Sequence, residues 1–177
     1  QYAVMGVIYS ELVLGFANPR VALLNIGTEE GKGNALSVAA YELLKNSGLN
    51  FTGNIEGRDL FCGQAEVVVC EAFAGNLAIK TMEGVAAMMM DFLRERLQTP
   101  ERRELADGLR PVLAELKEVT DYAEYGGAPL LGVNGLSIVC HGSSKALAVK
   151  NGIRVAKECA ESDIVGKISR RLAAVEA

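Results

Sequence analysis

Short apolar runs alternate with stretches of helical spacing, and this alternation constrains the fold more than any other feature of the chain. Val21-Ala22-Leu23-Leu24-Asn25-Ile26, Phe51 to Ile55 and Glu66 to Glu71 are the first three runs, and Leu136 to Cys140 is a fourth. A run such as Val67-Val68-Val69 offers no polar face to water, so it belongs in a sheet covered on both sides. Strands of this kind separated by helices predict an α/β fold with a parallel sheet.

The helices are read from capping and periodicity. The first is expected from Tyr2 to Leu14, ahead of the turn signal Asn18-Pro19. Asn34 is placed to cap a second, which carries Leu36, Ala39, Ala40, Leu43 and Leu44 on one face and ends at Gly48. A long third helix is expected from about Gly75 to Leu97, and Thr99-Pro100 restarts a fourth. That fourth helix carries the stripe Leu105, Leu109, Val112, Leu113, Leu116 and a kink at Pro111. Tyr125 to Pro129 reads as a loop. A helix then follows Ser144 as far as Glu161, and a last one from Ser162 shows Ile164, Val165, Ile168 and Leu172 on one face.

The 177 residues are half hydrophobic, which is enough for one well-filled core, and the sequence holds no membrane-spanning apolar run. A net charge of −4 argues against a general nucleic-acid binder. Cys62, Cys70, Cys140 and Cys159 form no C-x-x-C pair, and His141 is the single histidine, so no metal site is expected. Cys70 and Cys140 lie in apolar runs and read as small core residues, with the thiols reduced as in a cytoplasmic protein. Because the chain opens on Gln1 inside helical spacing, it reads as an excerpt.

In parallel α/β sheets, ligands bind beyond the carboxyl ends of the strands, which singles out four polar loops. Gly27-Thr28-Glu29-Glu30-Gly31-Lys32-Gly33, leading into Asn34, reads either as an anion cradle with Lys32 as its cation or as a plain connection. Asn54-Ile55-Glu56-Gly57-Arg58-Asp59 reads as a substrate clamp or as a turn with a surface ion pair. Glu71-Ala72-Phe73-Ala74-Gly75-Asn76 reads as an anion clamp or a capped helix start, with Lys80 one turn on and on the face of Asn76. His141-Gly142-Ser143-Ser144 puts the lone histidine at a strand end, where it is either structural or a proton carrier. Met88 to Met90 suits a core or a dimer face better than an acyl chain or membrane. Arg94, Arg96, Arg102, Arg103 and Arg110, interspersed with acidic residues, read as a solvated face.

Taken in order, these stretches, with Asp121 to Gly132, resemble the C-terminal portion of the phosphate acyltransferase family of fatty acid and phospholipid synthesis. Two motifs depart from its pattern: Glu71-Ala72-Phe73-Ala74 stands where Asp-Gly-Phe-Thr is usual, and Lys145 where Asn is usual. The family's opening aspartate- and glycine-rich motif is not in this sequence. The resemblance implies a fold similar to the isocitrate/isopropylmalate dehydrogenases and phosphotransacetylases, with a helical excursion over about 75–120. It implies transfer of a fatty acyl group from acyl carrier protein to inorganic phosphate. It also implies no cofactor or metal, a homodimer, and a cytoplasmic enzyme with peripheral membrane association. Lys32, Lys80 and His141 are then the candidate catalytic residues. Asn34, Asn54, Glu56, Arg58, Glu71, Gly75, Asn76, Gly142 and Ser143 are the candidate substrate-binding residues. Two other readings share the residues: a phosphate acetyl- or butyryltransferase using coenzyme A, and a dimerisation and carrier-binding module without turnover.

Overall fold

The computed structural model describes residues 1–120 and 122–175. Asp121, part of one motif above, lies outside the described residues. The chain divides into two compact units. The first comprises Gln1–Glu71, Pro129–Ile138 and the chain from Arg154 onward; the second comprises Ala72–Ala128 and Val139–Ile153.

In the first unit, β1 (Val21–Asn25) is the centre of a three-stranded sheet, flanked by β2 (Phe51–Glu56) and β3 (Val67–Val69), and both pairings are parallel. Val21, Ala22 and Leu23 are buried, as the central position requires. Helix α1 (Tyr2–Leu12) has two working faces. Ala3 and Val7 join Val21, Leu23 and Val67 of the sheet and Tyr41 and Leu44 of α2 (Ala35–Lys45) in one core. Val4, Met5 and Ile8 join Val155 and Cys159 of α6 (Ala146–Glu161) and Ile164 and Ile168 of α7 (Ile164–Val175) in another. Each fully buried aliphatic side chain of this kind contributes about 1.5–3 kcal/mol.

The start of β1 is tied to the start of β3 by an ion pair. Arg20 Nη2 donates to Glu66 Oε1 at 2.5 Å and to Gly63 O at 2.7 Å, and the Arg20 backbone N–H donates to Glu66 Oε2 at 2.7 Å. The side-chain hydrogen bond from Arg20, followed by its backbone hydrogen bond, lowers the Glu66 carboxyl to about 2. A carboxyl ionises near pH 4.3 in an unfolded chain, so this pair stabilises the fold above about pH 4.5 and stops doing so as pH falls toward 2. Glu66→Gln is therefore expected to be less stable than wild type at neutral pH and to lose less on acidification. Melting temperatures from pH 7 to pH 2 check this, and parallel curves for the two proteins would exclude the pair as a source of acid sensitivity.

The second unit is built on α3 (Ala72–Leu97) and α4 (Arg103–Thr120), joined by a 3₁₀ turn at Pro100–Arg102 and packed on each other. The short α5 (Tyr122–Tyr125) follows. The first turns of α6 belong here too, where Asn151 Nδ2 donates to Ala123 O at 2.9 Å. Arg94 pairs with Asp91 and Arg110 with Asp107, so those arginines lie on a solvated face as expected. Among the described residues no helix is long and apolar enough to cross a membrane.

Several expectations are corrected. The fourth apolar run does not join the parallel sheet: only Ile138–Val139 (β5) is strand, and it pairs with Ala128–Pro129 (β4) in a separate ladder. Cys140, just beyond that two-residue strand, is exposed; Cys159, on the inner face of α6, is the buried cysteine. Helix α3 begins at Ala72, three residues before Gly75, because Ala72-Phe73-Ala74 carries no breaker. Leu36 and Leu43 of α2 are exposed, and Tyr41 takes the buried place beside Leu44. Met88 and Met89 are exposed in this chain, so they form no part of its own core.

Candidate functional site

The carboxyl ends of β1 and β2 carry the most ordered polar cluster of the first unit. Register pairs Leu23 with Asn54, so Asn25, two residues beyond Leu23, shares the face of Asn54. Asn25 Nδ2 donates to Asn54 Oδ1 at 3.1 Å and to Lys32 O at 2.9 Å, and Asn25 Oδ1 accepts from the Ile26 N–H at 2.9 Å. Asn54 is buried, and its Nδ2 donates to Glu29 O at 2.9 Å. Two asparagines on adjacent strands thus hold the backbone of the Gly27–Gly33 loop.

The loop is anchored on its outer side as well. Lys45 Nζ reaches both oxygens of Glu30 at 2.9 and 3.1 Å, and the Tyr41 hydroxyl donates to Glu30 Oε1 at 3.1 Å. The Lys45 hydrogen bond, then that of Tyr41, holds the Glu30 carboxyl below its ordinary value. Asn34 caps α2, accepting from the Ser37 N–H at 2.9 Å, as its place before the helix predicts. Lys32 Nζ lies 4.0 Å from Glu29 Oε2 with its side chain half exposed, so this contact leaves the ammonium largely in solvent. A glycine-bearing loop held from below by amides, ending on a capped helix and bearing a solvated lysine, has the form of an anion cradle.

The other candidates of the first unit sit differently. Arg58 pairs with Glu56 and lies 4.0 Å from Asp59, and the Glu56 N–H donates to Asp59 Oδ2 at 3.3 Å. Glu56, Arg58 and Asp59 therefore pair with one another around the 3₁₀ turn Gly57–Asp59, which Glu56 precedes. Glu71 is exposed at the boundary of the unit.

In the second unit, Gly75 and Asn76 lie within the first turns of α3, so neither is the helix start that was expected. Lys80, four residues after Asn76, pairs with Glu83 at 2.8 Å. The Ser143 N–H donates to His141 Nδ1 at 3.3 Å, and Ser143 Oγ lies 2.6 Å from the same nitrogen. Gly142 is exposed between the two, and the Ser144 N–H closes the turn on His141 O at 2.9 Å. Asn25, Glu30, Tyr41 and Lys45 were not singled out from sequence. The one available signal was a polar Asn25 closing an otherwise apolar strand.

Fold and loop together define a parallel α/β protein with a braced, glycine-bearing loop at the strand ends. The comparisons sharpen that class. The chain matches the family described as fatty acid synthesis protein over residues 1–167. It is 55% identical over 174 residues to a phosphate acyltransferase of Desulfitobacterium hafniense (strain DSM 10664 / DCB-2), covering 97% of this chain and 52% of that protein. It is 49% identical over 172 residues to one of Desulforamulus reducens and 47% identical over 173 residues to one of Clostridium acetobutylicum, with the same coverage of 97% and 52%. The chain belongs to the fatty acid synthesis protein family, and it spans about half the length of the curated relatives it matches.

Proposed function

We propose that this chain supplies the phosphate-holding part of an acyltransferase that moves a fatty acyl group from acyl carrier protein to inorganic phosphate. The observation that carries the reading is the Gly27–Gly33 loop, braced by Asn25 and Asn54 and presenting Lys32 to solvent, in a chain whose relatives are named phosphate acyltransferase. Phosphate is largely a dianion near neutral pH and needs no protein nucleophile. One of its oxygens attacks the thioester carbonyl, the oxyanion forms and collapses, the C–S bond breaks, and the carrier thiolate leaves and takes a proton. The protein's work is to hold phosphate and stabilise the oxyanion.

Lys32 is the proposed phosphate cation. Lys80 is proposed as a second cation, and His141 as a group that orients phosphate or, when it carries a second proton, protonates the leaving thiolate. Asn34, Glu56, Arg58, Glu71, Gly75, Asn76, Gly142 and Ser143 remain proposed substrate contacts. Homodimerisation, cytoplasmic location and peripheral membrane association belong to the same reading.

Full-length enzyme carrying this chain, given an acyl carrier thioester and labelled phosphate, is expected to form acyl phosphate. Lys32→Ala should raise the KM for phosphate about tenfold to a hundredfold, the worth of a charge-assisted hydrogen bond. His141→Ala should lower kcat. If no acyl phosphate forms, or if both variants behave as wild type, the reading is wrong. A preference for acyl-coenzyme A over acyl carrier protein would reassign the donor, and carrier binding without phosphate-dependent thioester loss would mark a non-catalytic module.

A further inference from the structure

We infer that Asn25 and Asn54 form a positioning pair that sets the backbone of the Gly27–Gly33 loop, and through it the loop's affinity for phosphate. The inference rests on that loop being the phosphate site, and it gives Asn54 a role other than touching substrate.

The hydrogen bonds fix both amides without ambiguity. Asn25 Oδ1 accepts from the Ile26 N–H, so Asn25 Nδ2 is the end that faces Lys32 O and Asn54. The atom of Asn54 facing Asn25 Nδ2 must then be its oxygen, which leaves Nδ2 to donate to Glu29 O. A chain of donors therefore runs across two strands and ends on two loop carbonyls, those of Glu29 and Lys32.

Those two carbonyls decide what the loop offers a ligand. In a trans peptide, C=O and N–H point in opposite directions. Drawing the Glu29 carbonyl toward Asn54 turns the Glu30 N–H away from the asparagine pair, and drawing the Lys32 carbonyl toward Asn25 does the same for the Gly33 N–H. The carbonyl dipoles that would repel an anion are satisfied beneath the loop, and two N–H groups are presented on the side away from it. Within the loop itself the Lys32 N–H donates to Glu29 O at 3.3 Å, so the Glu29 carbonyl is shared between that turn and Asn54, while the Lys32 carbonyl is taken up by Asn25.

The test is steady-state kinetics on the full-length enzyme with inorganic phosphate and the acyl donor varied separately, and with folding followed by circular dichroism. Asn54→Ala removes the donor to Glu29 O and is expected to raise the KM for phosphate about tenfold, the effect of one lost buried hydrogen bond, with the KM for the acyl donor unchanged. The Asn25→Ala/Asn54→Ala double variant should be little worse than the poorer single one, because the two residues act as a unit. If Asn54→Ala does not fold, Asn25→Ser carries the test: it keeps an acceptor near the Ile26 N–H and drops both Nδ2 bonds. A folded variant with wild-type phosphate KM overturns the inference, and so does an equal rise in both KM values, which would mark general disruption. Lys32→Ala separates the two levels. If it leaves the phosphate KM unchanged, the phosphate reading itself fails; if it raises that KM while the asparagine variants do not, only the positioning role fails.

Discussion

Replacing Gly33 with alanine is expected to destabilise the fold by about 2–5 kcal/mol and to remove most phosphate-dependent activity from the full-length enzyme. Gly33 has φ +95°, a conformation that costs an L-residue about 1–2 kcal/mol. A Cβ there would also lie 2.1 Å from Ser37 Oγ and 2.4 Å from Asn25 Oδ1. Ser37 can rotate if it gives up its bond to Asn34 O. Asn25 has no such escape, because moving it breaks the bonds to Lys32 O and Asn54 together. The steric cost therefore falls on the pair that holds the Gly27–Gly33 loop, and on the proposed function stability and phosphate KM should change together. Denaturant unfolding alongside phosphate titration measures both. A Gly33→Ala protein within about 0.5 kcal/mol of wild type would show that the loop relaxes freely, and the bracing described above would have to be abandoned.

The second large effect is expected at Gly126, in the loop between α5 and β4. Its φ is +86°, and a Cβ would meet Gly152 N at 2.3 Å, Asn151 C at 2.4 Å and Asn151 Cβ at 2.5 Å. None of these atoms is the tip of a side chain that can swing aside. Gly126→Ala must push α6 off the loop and break the Asn151 Nδ2 bond to Ala123 O, at a cost of about 3 kcal/mol or more. Asn151→Ala removes only the hydrogen bond and should cost about 1 kcal/mol. Urea unfolding of the two variants distinguishes a backbone contact from a simple polar one. Equal losses would mean that the close approach of Gly126 to α6 contributes nothing beyond the hydrogen bond.

How much was legible in the sequence differs from element to element. The apolar runs of β1 and β3 located two strands within a residue or two, since a strand buried on both faces can carry almost nothing else. The α7 stripe of Ile164, Val165, Ile168 and Leu172 was read correctly because helical spacing shows directly which side chains share a face. Spacing alone does not say which apolar face is buried. In α2 it gives Leu44, which is buried, together with Leu36 and Leu43, which are exposed, and it passes over Tyr41, which joins Leu44 in the core shared with β1 and α1. The run at Leu136 to Cys140 was misassigned for a related reason: an apolar pentapeptide does not reveal its hydrogen-bonding partner, and here only two residues pair, outside the main sheet.

The Gly27–Gly33 loop divides along the same line. Its glycines, Lys32 and the Asn34 cap are local features, and local chemistry is what a sequence displays; of these, the structure bears out the cap. The sequence by itself thus determined an α/β chain with parallel strands, and it identified the loop. Only the tertiary structure decided what holds that loop. Asn25 and Asn54 are 29 residues apart and meet because β1 and β2 pair in one register, and a shift of one residue would turn Asn54 to the opposite face. Contacts of that kind come from strand pairing, which no local pattern of side chains specifies.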